Sequence, residues 1–220
     1  MMRKRFSAFL LAAPLCADAA WPQLPVPPQA RIEPVGTEIR LNGIPMRMQR
    51  VLTARQAQEV ARHYRDALGS RHASERLPDR LVLSQGRGDY FISVSIRPLA
   101  PGLTEALVSV ADAREARRAV GRPLGLRLPA ESAVLSDMES VDGGMRSRQL
   151  VLSNTHAIPT NLLAISRELA IRGMRPDGPP LRATASGHAQ LFRGEGREAQ
   201  LTVFLQDGGT RIVLTMIEKP

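Results

Sequence analysis

Cysteine is almost missing from this sequence: Cys16 is the only one, so no disulfide can close within a single chain. Aromatic residues make up 4% of the chain, with one tryptophan and two tyrosines. Single-strand nucleic-acid binders stack bases on aromatic platforms, and this chain has little to build them from. Lysine occurs only at Lys4 and Lys219, so the formal charge of +9 is carried almost wholly by arginine. Arginine grips phosphate and carboxylate groups bidentately. The excess therefore permits contact with anionic lipid, polysaccharide or an acidic protein, although Arg-for-Lys usage with abundant Ala and Pro also fits a GC-rich coding bias. Past the first twenty residues no apolar run is long enough to span a bilayer.

The short apolar run at the N-terminus does have a clear layout. Arg3, Lys4 and Arg5 precede an apolar stretch from Phe6 to Leu15, followed by Ala17-Asp18-Ala19. A charged, then apolar, then small-x-small order is that of a cleaved secretory signal. Residues 1–19 are expected to be removed after Ala19 or Ala20, which places the mature chain in the periplasm. Leu15, rather than a small residue, precedes Cys16, which argues against lipidation. Cleavage would leave no cysteine and lower the formal charge to +7, because three cationic residues and one acid depart.

Two stretches resemble each other. "NGIPMRMQRVLT" (42–53) matches "DGGMRSRQLVLS" (142–153), each opening on a hairpin turn signal. Helical periodicity follows in both, with Ala57, Val60, Ala61, Tyr64 and Leu68 on one face and Ile158, Leu162, Ile165 and Leu169 on the other copy's face. Thr53 and Gln56 suggest a capping box; Gly69 and Gly173 suggest stops, and Pro159 suits a first turn. Strand alternation then appears at Tyr90–Ile96 and at Ala199–Leu205, and the aligned Thr104 and Thr210 each precede a last strand. The expected fold class is α+β: two tandem strand-strand-helix-strand-strand-strand units, each a helix packed on its own antiparallel sheet. The expected organisation is a Pro-rich arm over 20–35, a first unit over 36–112, a basic helix and linker over 113–130, and a second unit over 131–220.

Chemistry-bearing patterns are sparse. His63, His72, His156 and His188 have no second ligand at zinc-like spacing, so no metal, cofactor or catalytic residue is assigned. Asp137 and Glu139 share one side of an expected strand, and a solvated face accounts for them. The pairs Gly86/Gly88 and Gly194/Gly196 lead into strands rather than helices, which removes a phosphate-loop reading. Arg87-Gly88-Asp89 spells an adhesion tripeptide, but its counterpart "RGEGRE" (193–198) keeps only the spaced glycines of a turn. The methionines are expected to fill core space.

Arg114, Arg117 and Arg118 are the candidate contacts for an anionic surface, and Trp21, Pro25 and Pro28 the candidate residues of a partner-binding arm. The sequence thus favours an exported, non-catalytic accessory or scaffold component of a periplasmic assembly of secretion or surface-appendage type, with an unidentified envelope protein as partner. A carrier of a lipid or other apolar ligand between helix and sheet is the alternative, and a hydrolase is the weaker third. Nucleic acid is not an expected partner.

Overall fold

The structure is a computed structural model that describes residues 21–219; the expected signal peptide, with Cys16, lies outside the described residues. Fourteen strands and three helices follow in order: β1 (Arg31–Pro34), β2 (Glu38–Leu41), β3 (Ile44–Thr53), α1 (Ala57–Leu68), β4 (Ala73–Arg76), β5 (Leu81–Arg87), β6 (Tyr90–Ala100), β7 (Leu103–Asp112), α2 (Ala113–Ala119), β8 (Ala133–Asp142), β9 (Met145–Asn154), α3 (Ile158–Ile171), β10 (Arg175–Pro176), β11 (Arg182–Thr184), β12 (Gly187–Gly194), β13 (Arg197–Gln206) and β14 (Gly209–Glu218).

The expected fold class is corrected. All fourteen strands join a single antiparallel sheet, in the order β10-β12-β13-β14-β9-β8-β2-β3-β7-β6-β5-β4, with β1 beside β3 and β11 beside β12. The described chain is mostly sheet, with helices of only 12, 7 and 14 residues. It is not an α+β pair of units with separate sheets. The reason lies in β2, whose two edges are both used: Ile39 pairs with Met46 of β3 and with Ser140 of β8. The first strand of the first unit is therefore interior to a larger sheet that also takes in the second unit.

Register also fixes sidedness. Residues directly opposite in an antiparallel ladder point to the same face. Arg40 is opposite both Pro45 and Glu139, so the face of β3 that carries Val51 continues into the face of β9 that carries Leu150. Val51 packs under α1 with Val60, Tyr64 and Leu68, while Leu150 packs under α3 with Ile165 and Leu169. Both long helices therefore lie on one side of the sheet. Extended apolar segments flank them on that side: Trp21, Leu24 and Val26 against the first cluster, Leu124, Leu126 and Leu128 against the second.

The helix ends follow local chemistry, with one correction. Gly69 and Gly173 take φ of 76° and 78°, a left-handed region open to glycine. Pro159 sits in the first turn of α3, where its missing N–H costs nothing. The Thr53–Gln56 capping box does not form, because Thr53 is still in β3 and its hydroxyl accepts from Arg55 N at 3.3 Å. Thr104 and Thr210 instead hold the strand-to-helix loops by donating to Arg55 O at 2.7 Å and His156 O at 2.6 Å. A buried pair of amides locks α3 further: Asn154 donates to Asn161 Oδ1 at 2.7 Å, and Asn161 returns a bond to Asn154 Oδ1 at 3.0 Å.

The opposite face of the sheet carries an ion network where β1, β3, β7 and β6 meet. Glu105 accepts from Arg50 and, at 2.7 Å, from Arg97, and Arg50 also reaches Glu33 at 3.2 Å. Burial works to raise the Glu105 carboxyl, but the hydrogen bonds and charges of Arg97 and Arg50 outweigh it, leaving a net pKa below the ordinary value. A lowered folded pKa contributes stability that is full above the unfolded value of about 4.3 and is lost as pH falls through the folded value. Urea midpoints from pH 7 to 3 are therefore expected to fall less steeply for Glu105→Gln than for the parent over the acid end of that range.

The junction of the sheet is clamped by one turn. Asn42, at φ 52°, closes the β2–β3 hairpin, donates its backbone N–H to Asp137 O at 2.7 Å, and accepts from Asp137 N at 2.9 Å through Oδ1. Asn42→Gly keeps the left-handed backbone but strips the side-chain acceptor, and is expected to cost about 1 kcal/mol in urea unfolding. Asn42→Ala adds left-handed strain and is expected to cost roughly 1 kcal/mol more.

Candidate functional site

The junction between β2 and β8 also forms the floor of a cleft. Going across the sheet, one row of same-face residues reads Arg40, Glu139, Arg148, Met216. The next row reads Glu38, Val141, Arg146, Glu218, Arg197. Deeper rows on this face are apolar, such as Leu150, Leu214 and Leu201, and α3 covers them. The charged rows project beyond the helix end, and the linker segment 122–126 crosses above them. The resulting cleft has a volume of about 510 Å³ and is lined by six arginines and four glutamates among apolar residues that include Leu124, Leu126 and Met174.

Two of those arginines pin the linker as a strap. Arg148 sets both Nε and Nη2 on the Asp137 carboxylate, at 2.8 and 2.7 Å, and donates through Nη1 to Leu124 O at 2.7 Å. Arg172, at the end of α3, holds Glu168 at 2.9 Å and donates to Gly125 O. Hydrogen bonding to Asp137 raises the Arg148 pKa against the opposing effect of burial, so the guanidinium stays charged where it is. Asp137 was expected on a solvated face; its side chain is 12% exposed, because the strap and Arg148 cover it. Glu139 is shared between Arg122 at 3.4 Å and Arg148 at 3.7 Å.

The remaining arginines are less committed. Arg197 meets Glu218 at 3.4 Å. Arg40 donates only to Gly43 O of its own turn, at 3.2 Å. Arg146 has no hydrogen-bond or ion-pair partner among the described residues, and neither Arg40 nor Arg146 has a carboxylate within bonding reach. The cleft thus holds two cationic forks facing an apolar wall, which suits a carboxylate or phosphate group on an apolar body. Glutamates at its edge disfavour a polyanion.

The residues singled out from sequence fall elsewhere. Arg114 is held by Asp112 at 2.9 Å and stacks over Tyr90, with its ring centroid 5.7 Å away. Arg118 pairs with Glu115 at 2.6 Å, which leaves Arg117 as the uncommitted member of the α2 trio among the described residues. Trp21 lies 5.3 Å from Tyr90, with Arg47 stacked 5.0 Å above it, so this end of the arm rests on the protein's own sheet. Pro25 and Pro28 stay exposed, and Pro25 O accepts from His63 Nε2 at 3.0 Å. The structure does not bring these two groups together with the cleft. Arg87-Gly88-Asp89 occupies the β5–β6 turn, where Asp89 O accepts from Ala113 N at 2.8 Å. His72 and His156 each bond a backbone carbonyl, Gly69 O at 2.6 Å and Ala130 O at 2.8 Å. Among the described residues no three His, Cys, Asp or Glu side chains gather as a metal site.

Sequence reasoning did not single out Arg40, Arg146 or Arg148, although their signal was in view: Arg40 precedes the Asn42-Gly43 turn and Arg146 follows Gly143-Gly144. Searches of family models, curated proteins and solved structures find no match to this chain.

Arg148→Gln would leave Asp137 unpaired beneath the strap. It is expected to lower stability by about 3 kcal/mol in urea, and to speed tryptic cleavage after Arg127, at the end of the strap, under native conditions. The cleavage rate reports strap release separately from the global loss.

Proposed function

We propose that this chain is an exported, non-catalytic accessory or scaffold component of a cell-envelope assembly, and that in the cleft at the sheet junction it grips a single carboxylate beside apolar side chains on a protein partner. The observation that carries the reading is the pair Arg40 and Arg146, aimed from β2 and β9 into a built cleft without carboxylate partners of their own. A rigid floor supports recognition, because the strand backbone that carries both arginines is already ordered and only their side chains lose freedom on binding. The export part rests on the layout of residues 1–19.

The apolar-carrier alternative gains less support. Of Leu162, Ile165 and Leu169, which would line its cavity, Leu162 is half-buried against a packed cluster of strand residues, and Ile165 and Leu169 are 1% and 0% exposed within it. Removal of either would empty space that is already filled.

The test places a photo-crosslinking amino acid at position 141, on the cleft floor beside Arg146, and, as a control, at position 163 on the exposed side of α3. In envelope fractions of the source organism, position 141 is expected to give one discrete adduct that Arg40→Gln abolishes, and position 163 none. Equal adducts from both positions, or persistence with Arg40→Gln, would count against the cleft. N-terminal sequencing of the periplasmic protein is expected to begin at Ala20 or Trp21; an intact Met1 in the cytosol would overturn export.

A further inference from the structure

A second cleft lies far from the junction, between α1 and the connection from β4 to β5. Its volume is about 380 Å³, within the range of small-molecule sites. Its floor is apolar: Ala57 and Ala61 of α1, Leu77, Leu81 and Ile96. Four arginines ring that floor, Arg62 and Arg65 from α1, then Arg76 and Arg80, against one acid, Asp79.

Asp79 does not neutralise the ring. Both its oxygens are taken by Arg80, at 3.0 and 2.7 Å, and this pairing holds the Asp79 carboxyl below its ordinary pKa despite the desolvation that opposes it. The side chains of Arg62, Arg65 and Arg76 have no hydrogen-bond or ion-pair partner among the described residues. Position explains why they converge. Arg62 and Arg65 are three residues apart on α1, so they share a face. Arg76 is opposite Leu81 in the β4–β5 ladder, and Leu81 packs against the α1 cluster, so Arg76 points to the helix side of the sheet edge. Three uncompensated forks thus surround a shallow apolar floor that no other segment of the described chain covers.

Basic residues around apolar surface fit a ligand with a head and a tail. A polysaccharide or a nucleic acid would match the charge and leave the floor wet. An uncharged apolar ligand would match the floor and leave three guanidinium groups without anions. We infer that the α1–β4 cleft binds a single-chain anionic amphiphile, a phosphate or carboxylate head on an apolar chain, with Arg62, Arg65 and Arg76 on the head and Ala57, Ala61 and Leu77 against the chain. The site is independent of the junction cleft and does not rest on it.

Calorimetric titration of the full mature protein at low salt tests the inference, with n-octyl phosphate as the probe below its micelle concentration. Inorganic phosphate supplies the head alone, and octyl glucoside a similar tail on an uncharged head. The expected result is saturable binding of octyl phosphate, with both controls weaker by roughly tenfold or more. Arg62→Gln/Arg65→Gln/Arg76→Gln is expected to reduce octyl phosphate binding by a similar factor without changing the thermal midpoint, since these side chains hold nothing in place. Ala57→Leu fills part of the floor and is expected to weaken octyl phosphate while leaving inorganic phosphate unchanged.

Unchanged binding in the triple arginine variant would overturn the site. Inorganic phosphate binding as tightly as octyl phosphate would overturn the role of the floor, and octyl glucoside doing so would overturn the role of the arginines. Binding of a glutamate-rich peptide without any binding of octyl phosphate would replace the inference with a peptide site. Vesicles of phosphatidylcholine with and without phosphatidic acid separate the two sources of the chemistry. Arginine-dependent co-sedimentation with the acidic vesicles assigns the head to a membrane lipid, and octyl phosphate binding without it assigns a free amphiphile.

Discussion

The union of the α1-covered and α3-covered halves into one sheet depends on the four-residue ladder between β2 and β8. Glu38 to Leu41 pair with Val141 to Met138 on one edge and, over Ile39 to Leu41, with Met46 to Ile44 on the other. Two ladders through so short a strand would be a weak hinge on their own. Contacts at both ends reinforce it: Thr37 N and Oγ1 both donate to Val141 O at 2.8 Å, and the Asn42 turn exchanges two bonds with the Asp137 backbone. Local sequence therefore supports a non-local joint. An Asn-Gly turn that makes a hairpin with β3 also supplies the side-chain acceptor that fastens β8.

From that joint a chain of dependence leads to the cleft. The clamp on the Asp137 backbone sets its carboxylate, the carboxylate sets Arg148, and Arg148 sets the height of the strap through Leu124 O. Arginine suits the middle position because one planar fork can hold a carboxylate with two nitrogens and a carbonyl with the third. The desolvation of such a pair opposes its Coulombic gain, so the bridge fixes where the strap sits more than it stabilises the fold. The same division separates the arginines across the protein. Those at Arg50, Arg97, Arg114, Arg148 and Arg172 are matched by acids and build structure, while Arg40, Arg146, Arg62, Arg65 and Arg76 line two clefts with no acid bonded to their guanidinium groups.

How much of this can be read from sequence depends on the range of the interaction. Alternation at Tyr90, Ile92, Val94 and Ile96 marks the buried face of β6, and the 3.6 period marks Val60, Tyr64 and Leu68 on α1, because both are set by the next few residues. The single sheet is not legible in that way. Whether the free edge of β2 faces water or β8 changes nothing in its four-residue pattern, so the α+β reading with two separate sheets arises from a blind spot of local periodicity. Buried polar groups are hidden for a related reason. Asn161 interrupts the apolar face of α3 and is fully buried, yet only its partner Asn154, seven residues earlier on another element, explains it. Asp137 looks solvated until the strap and Arg148 are placed over it. The clefts share this property, since each is lined by segments distant in sequence.

Charge content and charge placement carry different information about what this protein does. A high arginine content permits any anionic partner, and the α2 cluster looks the most basic because Arg114, Arg117 and Arg118 fall within one short helix. In the fold, Arg114 and Arg118 find Asp112 and Glu115 within a few residues, since clustered charges in a short helix also bring acids near. Arg40 and Arg76 also have acids close by, Glu38 and Glu75, but on an extended strand neither acid bonds its arginine, and both arginines reach their clefts unpaired. An uncompensated guanidinium beside apolar surface is the arrangement with most to gain from an anionic ligand, because the ligand supplies hydrogen bonds that the protein itself does not. Function is therefore better sought where topology gathers unpaired arginines than where the sequence concentrates them.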